Sequence, residues 1–253
     1  MRFGCCTGVD NIEVVQNCGY DYVELGVGTV IPESPDTEFE PIRDRIMAFD
    51  ILPEAWNGML PGDLKVVGPE VDNYRIERYL RTAFERIEEL GGEIVVFGSG
   101  KAREVPDGFP QDEAEEQLVD FLTLAGRIAG THGITIAIEP LNKGETNIIN
   151  SVKEGIEVMR RVSHPFVKVL ADLYHMQVEN ESLDILFEAN GDLAHVHTAD
   201  TGRMQPGSGN YPNKEMIEIL KKIGYEGRVS AESCWGDFKA QCGEVLEFLR
   251  SLS

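Results

Sequence analysis

The sequence predicts a closed (β/α)8 barrel of eight parallel strands, and three observations lead there. Apolar strand-like runs alternate with longer stretches of helical spacing along the whole chain, the pattern of a parallel sheet covered by helices. Eight such units within 253 residues fit a closed barrel better than an open doubly wound sheet. Glycines stand at the ends of several helical stretches just before the next strand (Gly19, Gly91 with Gly92, Gly133, Gly191, Gly224), where a helix C-cap needs a left-handed residue.

In chain order, strands are expected to begin near Arg2, Asp21, Ile51, Glu93, Ile134, Val167, Leu193 and Arg228. The first opens on Arg2-Phe3-Gly4-Cys5-Cys6, and the last four are the short runs Ile134 to Ile138, Val167 to Ala171, Leu193 to Val196 and Arg228 to Ala231. The clearest intervening helices are Asn73 to Leu90, Asp112 to Thr131, Val152 to Val162 and Asn213 to Ile223. Two long connections rich in Gly and Pro, Asn57 to Asp72 and Gly98 to Gln111, follow strands and so belong on the rim that carries lids and substrate walls. No linker or low-complexity segment divides the chain, and one domain over residues 1–253 is expected.

Lys and Arg number 23 against 44 Asp and Glu, a net charge of −21 that argues against a nucleic-acid or anionic-membrane partner. No apolar run approaches the ~20 residues that span a bilayer, and the amino-terminal residues show no signal-peptide pattern, so the expected location is cytoplasmic. Five cysteines (Cys5, Cys6, Cys18, Cys234, Cys242) are odd in number, lack CxxC spacing and include an adjacent pair, which reads as reduced thiols.

Glu139, Asp172, His197 and Glu232 close the last four strand-like runs and would share the carboxyl-end rim of the barrel. Side chains two apart face the same side of a strand. With Ile134, Ile136 and Ile138 turned out toward helices, Glu139 points inward; the same count turns Val167, Val169, Ala171, Ala194, Val196, Val229 and Ala231 outward and Asp172, His195, His197 and Glu232 inward. Any one of these is ordinarily a helix N-cap or a surface charge, but four strands agree. Carboxylates with one imidazole favour Mn²⁺, Mg²⁺ or Co²⁺ over a structural zinc.

Glu139-Pro140-Leu141-Asn142, Asp172-Leu173-Tyr174-His175-Met176, His195-Val196-His197-Thr198-Ala199-Asp200 with Arg203 and Pro206-Gly207-Ser208-Gly209, and Ala231-Glu232 together carry a family likeness. The chain resembles the sugar isomerase/epimerase branch of the xylose-isomerase-like TIM barrel superfamily, in particular the D-tagatose/D-psicose 3-epimerases and keto-sugar epimerases. The likeness is specific over residues 134 to 235 and weaker before them. It implies one divalent ion, Mn²⁺ foremost with Mg²⁺ or Co²⁺ as alternatives, held by Glu139, Asp172, His197 and Glu232. It also implies that Glu139 and Glu232 move protons and that Glu145, His175 and Arg203 contact a small-molecule sugar or keto-sugar. A homo-oligomer is compatible with it.

Read from residues alone, His175 is equally a sugar contact or a helix-capping histidine, Arg203 equally a carbonyl or hydroxyl contact or a surface ion pair, and Glu145 a surface charge. His195, one layer below His197, is expected to support the site rather than ligate. Trp56, Phe97 and Trp235 follow rim strands, where aromatics stack on sugars or simply pack. Gly26-Val27-Gly28 and Gly98-Ser99-Gly100-Lys101 fail as dinucleotide and P-loop motifs, and Gly207-Ser208-Gly209 reads as a flexible rim loop.

A divalent ion with open positions polarises a carbonyl and stabilises the ene-diolate as an α-proton leaves, the demanding step in aldose–ketose isomerisation and in epimerisation beside a ketone. The leading expectation is a sugar epimerase or isomerase of this kind. A keto-inositol-type dehydratase or a hydroxypyruvate-type isomerase on the same barrel is the alternative. Apurinic-site endonucleases of the superfamily use a metal cluster with histidines from early strands, whereas all five histidines here lie in the second half of the chain. A non-catalytic sugar-binding barrel would have no need of a complete ligand set with both glutamates.

Overall fold

A computed structural model of the chain describes residues 1–253. The strands β1 (Arg2–Cys6), β2 (Tyr22–Gly26), β3 (Ala55–Asn57), β4 (Ile94–Phe97), β5 (Thr135–Ile138), β6 (Val167–Asp172), β7 (Leu193–Thr198) and β8 (Arg228–Ala231) pair in parallel in sequence order, and β1 closes on β8. Helices α1 (Ile12–Cys18), α2 (Asp36–Ile46), α3 (Asn73–Glu89), α4 (Gly100–Arg103), α5 (Gln111–Thr131), α6 (Val152–Val162), α7 (Leu173–Val178), α8 (Ile185–Glu188), α9 (Asn213–Lys222) and α10 (Phe238–Leu252) lie between and around them. The chain is therefore a (β/α)8 TIM barrel. No helix is long and apolar enough to cross a membrane.

The helix ends follow their residues. Gly19, Gly91, Gly133, Gly191 and Gly224 all take left-handed φ values between 67° and 85°, as a C-cap requires. Ser151 caps α6 by accepting from the Glu154 amide, and Asp72 caps α3 by accepting from that of Arg75. The third strand starts later than expected, at Ala55 rather than Ile51. Pro53 has no amide hydrogen for a ladder, and Glu54 is instead gripped by Arg2 and Arg228 at the amino-end face of the barrel.

The main core lies between the sheet and the helices. Ile136, Ile138, Val167, Val169, Ala171, Val196, Val229 and Ala231 belong to it, as the alternation requires. Trp56 and Phe97 belong to it too and are fully buried, which removes both as sugar-stacking candidates; their inward neighbours on the strands are Ala55 and Val96. Inside the barrel a small cluster of Tyr22, Ala55, Ile94, Val96, Ala137 and Leu170 fills the lower part. Ala194 packs against this interior cluster, not outward as expected. The β6–β7 register jumps from Val169 opposite Leu193 to Leu170 opposite His195, so Ala194 is the extra residue of a bulge and the period of two breaks there.

Candidate active site

Glu139 and Glu232 are the residues immediately after β5 and β8, Asp172 ends β6, and His197 is the penultimate residue of β7. Their amides and register hold them level: the Glu139 amide donates to the Phe97 carbonyl, the Glu232 amide to that of Thr198, and Asp172 lies directly opposite His197. One ligand atom from each of the four lies within 4.8 Å of the others. Glu139, Asp172 and His197 are buried and Glu232 is half-buried at the mouth.

Asp172 divides its two oxygens between tasks. Oδ1 accepts from the Tyr174 amide at 2.7 Å and so caps α7. Oδ2 is buried and has no hydrogen-bond partner. Burial, reinforced by the neighbouring charges of Glu232 and Glu139, pushes the Asp172 carboxyl up to about 8. An orphaned carboxylate oxygen beside two more carboxylates is a place for a cation, and an oxygen-rich set with one imidazole suits a hard divalent ion.

His197 faces that place with Nδ1, which lies 2.9 Å from Glu139 Oε1 and 3.2 Å from Glu232 Oε2. Burial alone would lower its pKa, but the charges of Glu24 and Glu232 outweigh burial and hold it well above the usual imidazole range. Glu232 is held down to about 2: its burial is overcome by His197 and then by Arg203, whose Nη2 donates to Glu232 Oε2 at 2.9 Å.

The three residues that the resemblance placed at the substrate stand together on the rim beside this cluster. His175 Nδ1 accepts from the Asn142 backbone amide at 3.0 Å, so its proton is on Nε2. Burial depresses its pKa to about 4, which keeps the ring neutral. Nε2 is buried without a partner, 3.6 Å from Asp172 Oδ2, and is thus a free N–H donor aimed into the site. Arg203 sits 4.9 Å over the Tyr174 ring and reaches both Glu232 and, at 3.3 Å, Glu145. Its backbone is left-handed (φ 61°), an uncommon conformation for a side chain of this size. Glu145 also accepts from Asn142 Nδ2 at 2.9 Å, which ties it to His175 through Asn142.

The connection from Gly98 to Gln111, placed on the rim by the sequence, supports Glu139. The Glu139 carboxylate lies directly over Gly98, where any Cβ would collide with Oε2. Buried Arg103, from the same connection, donates to the carbonyls of Phe97 at 2.9 Å and Glu139 at 2.7 Å and so braces the ends of β4 and β5. The Gly207-Ser208-Gly209 loop is fastened rather than loose: buried Asp200 accepts from the amides of Thr201, Gly207 and Tyr211. Gly98→Ala should shift the Glu139 carboxylate and lower turnover by roughly 10²-fold with an almost unchanged melting temperature. Kinetics beside thermal unfolding checks this, and wild-type kinetics would show that the approach of Glu139 to Gly98 is unimportant.

Sequence reasoning missed Glu24. It is fully buried on β2, with Oε1 2.9 Å from His197 Nε2 and Oε2 2.8 Å from His195 Nε2. The available signal was alternation, since Tyr22 and Glu24 occupy the same side of one strand.

Residues 12–252 match the family described as xylose isomerase-like TIM barrel, and the chain belongs to that family. Among its relatives, the D-psicose 3-epimerase of Ruminiclostridium cellulolyticum is 35% identical over 46% of this chain and 40% of its own length. The 3-dehydro-D-guloside 4-epimerase of Escherichia coli is 31% identical over 62% of this chain and 64% of its own. The alignments with these two relatives thus span less than two thirds of each. A putative hydroxypyruvate isomerase of Streptomyces coelicolor is 30% identical over 87% of this chain and 82% of its own. The crystal structure of D-psicose 3-epimerase with D-tagatose from Clostridium cellulolyticum H10 superposes with a TM-score of 0.86 at 21% identity, covering 100% of this chain and 99% of that one, a likeness of fold.

Proposed function

We propose that the chain is a divalent-metal-dependent sugar epimerase or isomerase that transfers a proton at the carbon next to a ketone. The observation that carries this reading is the unpartnered, buried Asp172 Oδ2 at the centre of a four-residue ligand set whose two glutamates come from β5 and β8. Glu139, Asp172, His197 and Glu232 would hold the ion, with Mn²⁺ foremost and Mg²⁺ or Co²⁺ as alternatives. Such an ion supplies Lewis-acid polarisation of substrate oxygens.

The chain's own groups supply the rest. One glutamate takes the α-proton while the C–H electron pair moves toward the adjacent carbonyl, and the other returns a proton to the opposite face, which inverts the carbon. His175 Nε2–H and the Arg203 guanidinium donate to sugar oxygens, and Glu145 keeps Arg203 turned toward the rim. The sugar-epimerase names of the first two relatives support a sugar or keto-sugar substrate. The length of the Streptomyces alignment favours hydroxypyruvate isomerisation as the second reading. The net charge of −21 fits a small-molecule substrate rather than nucleic acid.

A panel of ketoses, 3-keto-sugars and hydroxypyruvate incubated with Mn²⁺ and followed by NMR separates the readings. Epimerisation keeps the oxygen count, whereas a dehydratase loses water and would refute an epimerase. Arg203→Ala and His175→Ala should each slow turnover or raise KM by about 10-fold or more while metal content stays near wild type. Loss of the ion from either purified variant, measured by elemental analysis, would move that residue into the coordination sphere.

A further inference from the structure

We propose that Glu24 is a positioning residue that fixes the His197 proton on Nε2 and thereby presents Nδ1 to the cation. The inference rests on the metal reading above and assigns a task to a strand that contributes no ligand. Glu24 is completely buried, and each of its oxygens takes one histidine: Oε1 lies 2.9 Å from His197 Nε2 and Oε2 2.8 Å from His195 Nε2. An ionised carboxylate only accepts hydrogen bonds, so both facing nitrogens must be N–H donors.

Nδ1 faces Glu139 and Glu232, so without a cation both ring nitrogens donate to carboxylates; once a cation takes the place of the Nδ1 proton, the bond to Glu24 keeps the remaining proton on Nε2. A polar column beneath holds the arrangement from the other side. His195 stands edge-on to His197 at 4.9 Å between ring centroids. Ser230 Oγ lies 3.4 Å from His195 Nε2 and 2.8 Å from the Tyr22 hydroxyl, so β2, β7 and β8 all join in one chain of contacts. The close approach of Gly4 to the Tyr22 ring, which leaves no room for a Cβ, lets that ring lie across the barrel. His195 Nδ1 is buried without a partner, as expected of a ring whose single proton is on Nε2. Outer carboxylates of this kind fix ligand tautomers and typically change metal affinity 10- to 100-fold.

Glu24→Gln keeps the shape but leaves one acceptor oxygen for two N–H groups, so one histidine must lose its bond or change tautomer. Mn²⁺ titration calorimetry of the full chain should show affinity 10- to 100-fold weaker than wild type. Nitrogen-15 NMR of the histidine rings with diamagnetic Mg²⁺ bound should show His197 protonated on Nε2 in wild type and a mixed or reversed pattern in the variant. Should E24Q fail to fold by circular dichroism, E24D, which keeps the charge but withdraws it by one methylene, should show the same direction of change. Wild-type affinity together with an unchanged ring pattern in the folded variant overturns the role of Glu24 alone. A wild-type chain that binds no Mn²⁺ overturns the reading of the site, and this role with it.

Discussion

Glu139→Gln and Glu232→Gln should each lower kcat by roughly 10²-fold or more on any sugar the chain turns over, the size of effect that follows from losing general acid–base catalysis. Both carboxylates border the same ligand cluster, but they are held differently. Glu139 is buried, lies over Gly98 and contacts His197, while Glu232 is half-buried and paired with Arg203. Amide replacements keep the shape and remove the proton acceptor. Because both residues are also in the ligand set, each variant needs its metal content measured beside kcat. A Gln variant that retains both metal and near-normal kcat contradicts the assignment of proton transfer to that residue.

Removal of the divalent ion should abolish turnover, and Mn²⁺, Co²⁺ or Mg²⁺ should restore it. The expected pH dependence follows from the site's charges. Without metal, Asp172 is held protonated up to about 8, and the His197 pKa is also raised. Binding a cation requires the Asp172 carboxylate and the His197 lone pair, so protons leave as metal enters and affinity should weaken as pH falls below about 8. Stability of the metal-free chain should move the other way. Asp172 and His197 both have folded pKa values above their unfolded ones of about 3.9 and 6.5, so the contribution of Asp172 is full below about 4 and is lost as pH rises to about 8, while that of His197 starts to be lost above about 6.5. Glu232, held down to about 2 in the folded chain against about 4.3 unfolded, is ionised in both states above about pH 5 and adds no slope there. Melting temperatures of chelated protein should therefore fall from about pH 5 to about 8 through this site, and metal should raise them most at the upper end of that range. Full activity in chelated, metal-free enzyme would refute the dependence on metal.

The second half of the barrel was legible because its candidate ligands close strands whose alternation is plain. Ile134 to Ile138 and Arg228 to Ala231 alternate cleanly, and the residues after them reach the site. The same rule, carried further, would have turned Trp56 and Phe97 toward the helices, since Ala55 and Val96 face inward. The Ala194 bulge lies beyond any rule of period, because the extra residue is set by pairing between β6 and β7. Glu24 went unread because a single glutamate between Val23 and Leu25 resembles a surface charge. Alternation sets it on the side of Tyr22, but its partners are two histidines 171 and 173 residues away. His175 and Arg203 stood undecided between function and packing in sequence; what three dimensions add is an unpartnered Nε2 for one and a contact with Glu232 for the other, neither of which a spacing can show.

Multiple turnovers in D₂O with Mn²⁺ present, followed by NMR of the product, test the central claim most directly. A carboxyl group at the mouth exchanges its proton with solvent before returning it, so deuterium should appear at the inverted carbon and at no other. Product formed without deuterium would contradict the two-glutamate account and favour a hydride shift or a single shielded base.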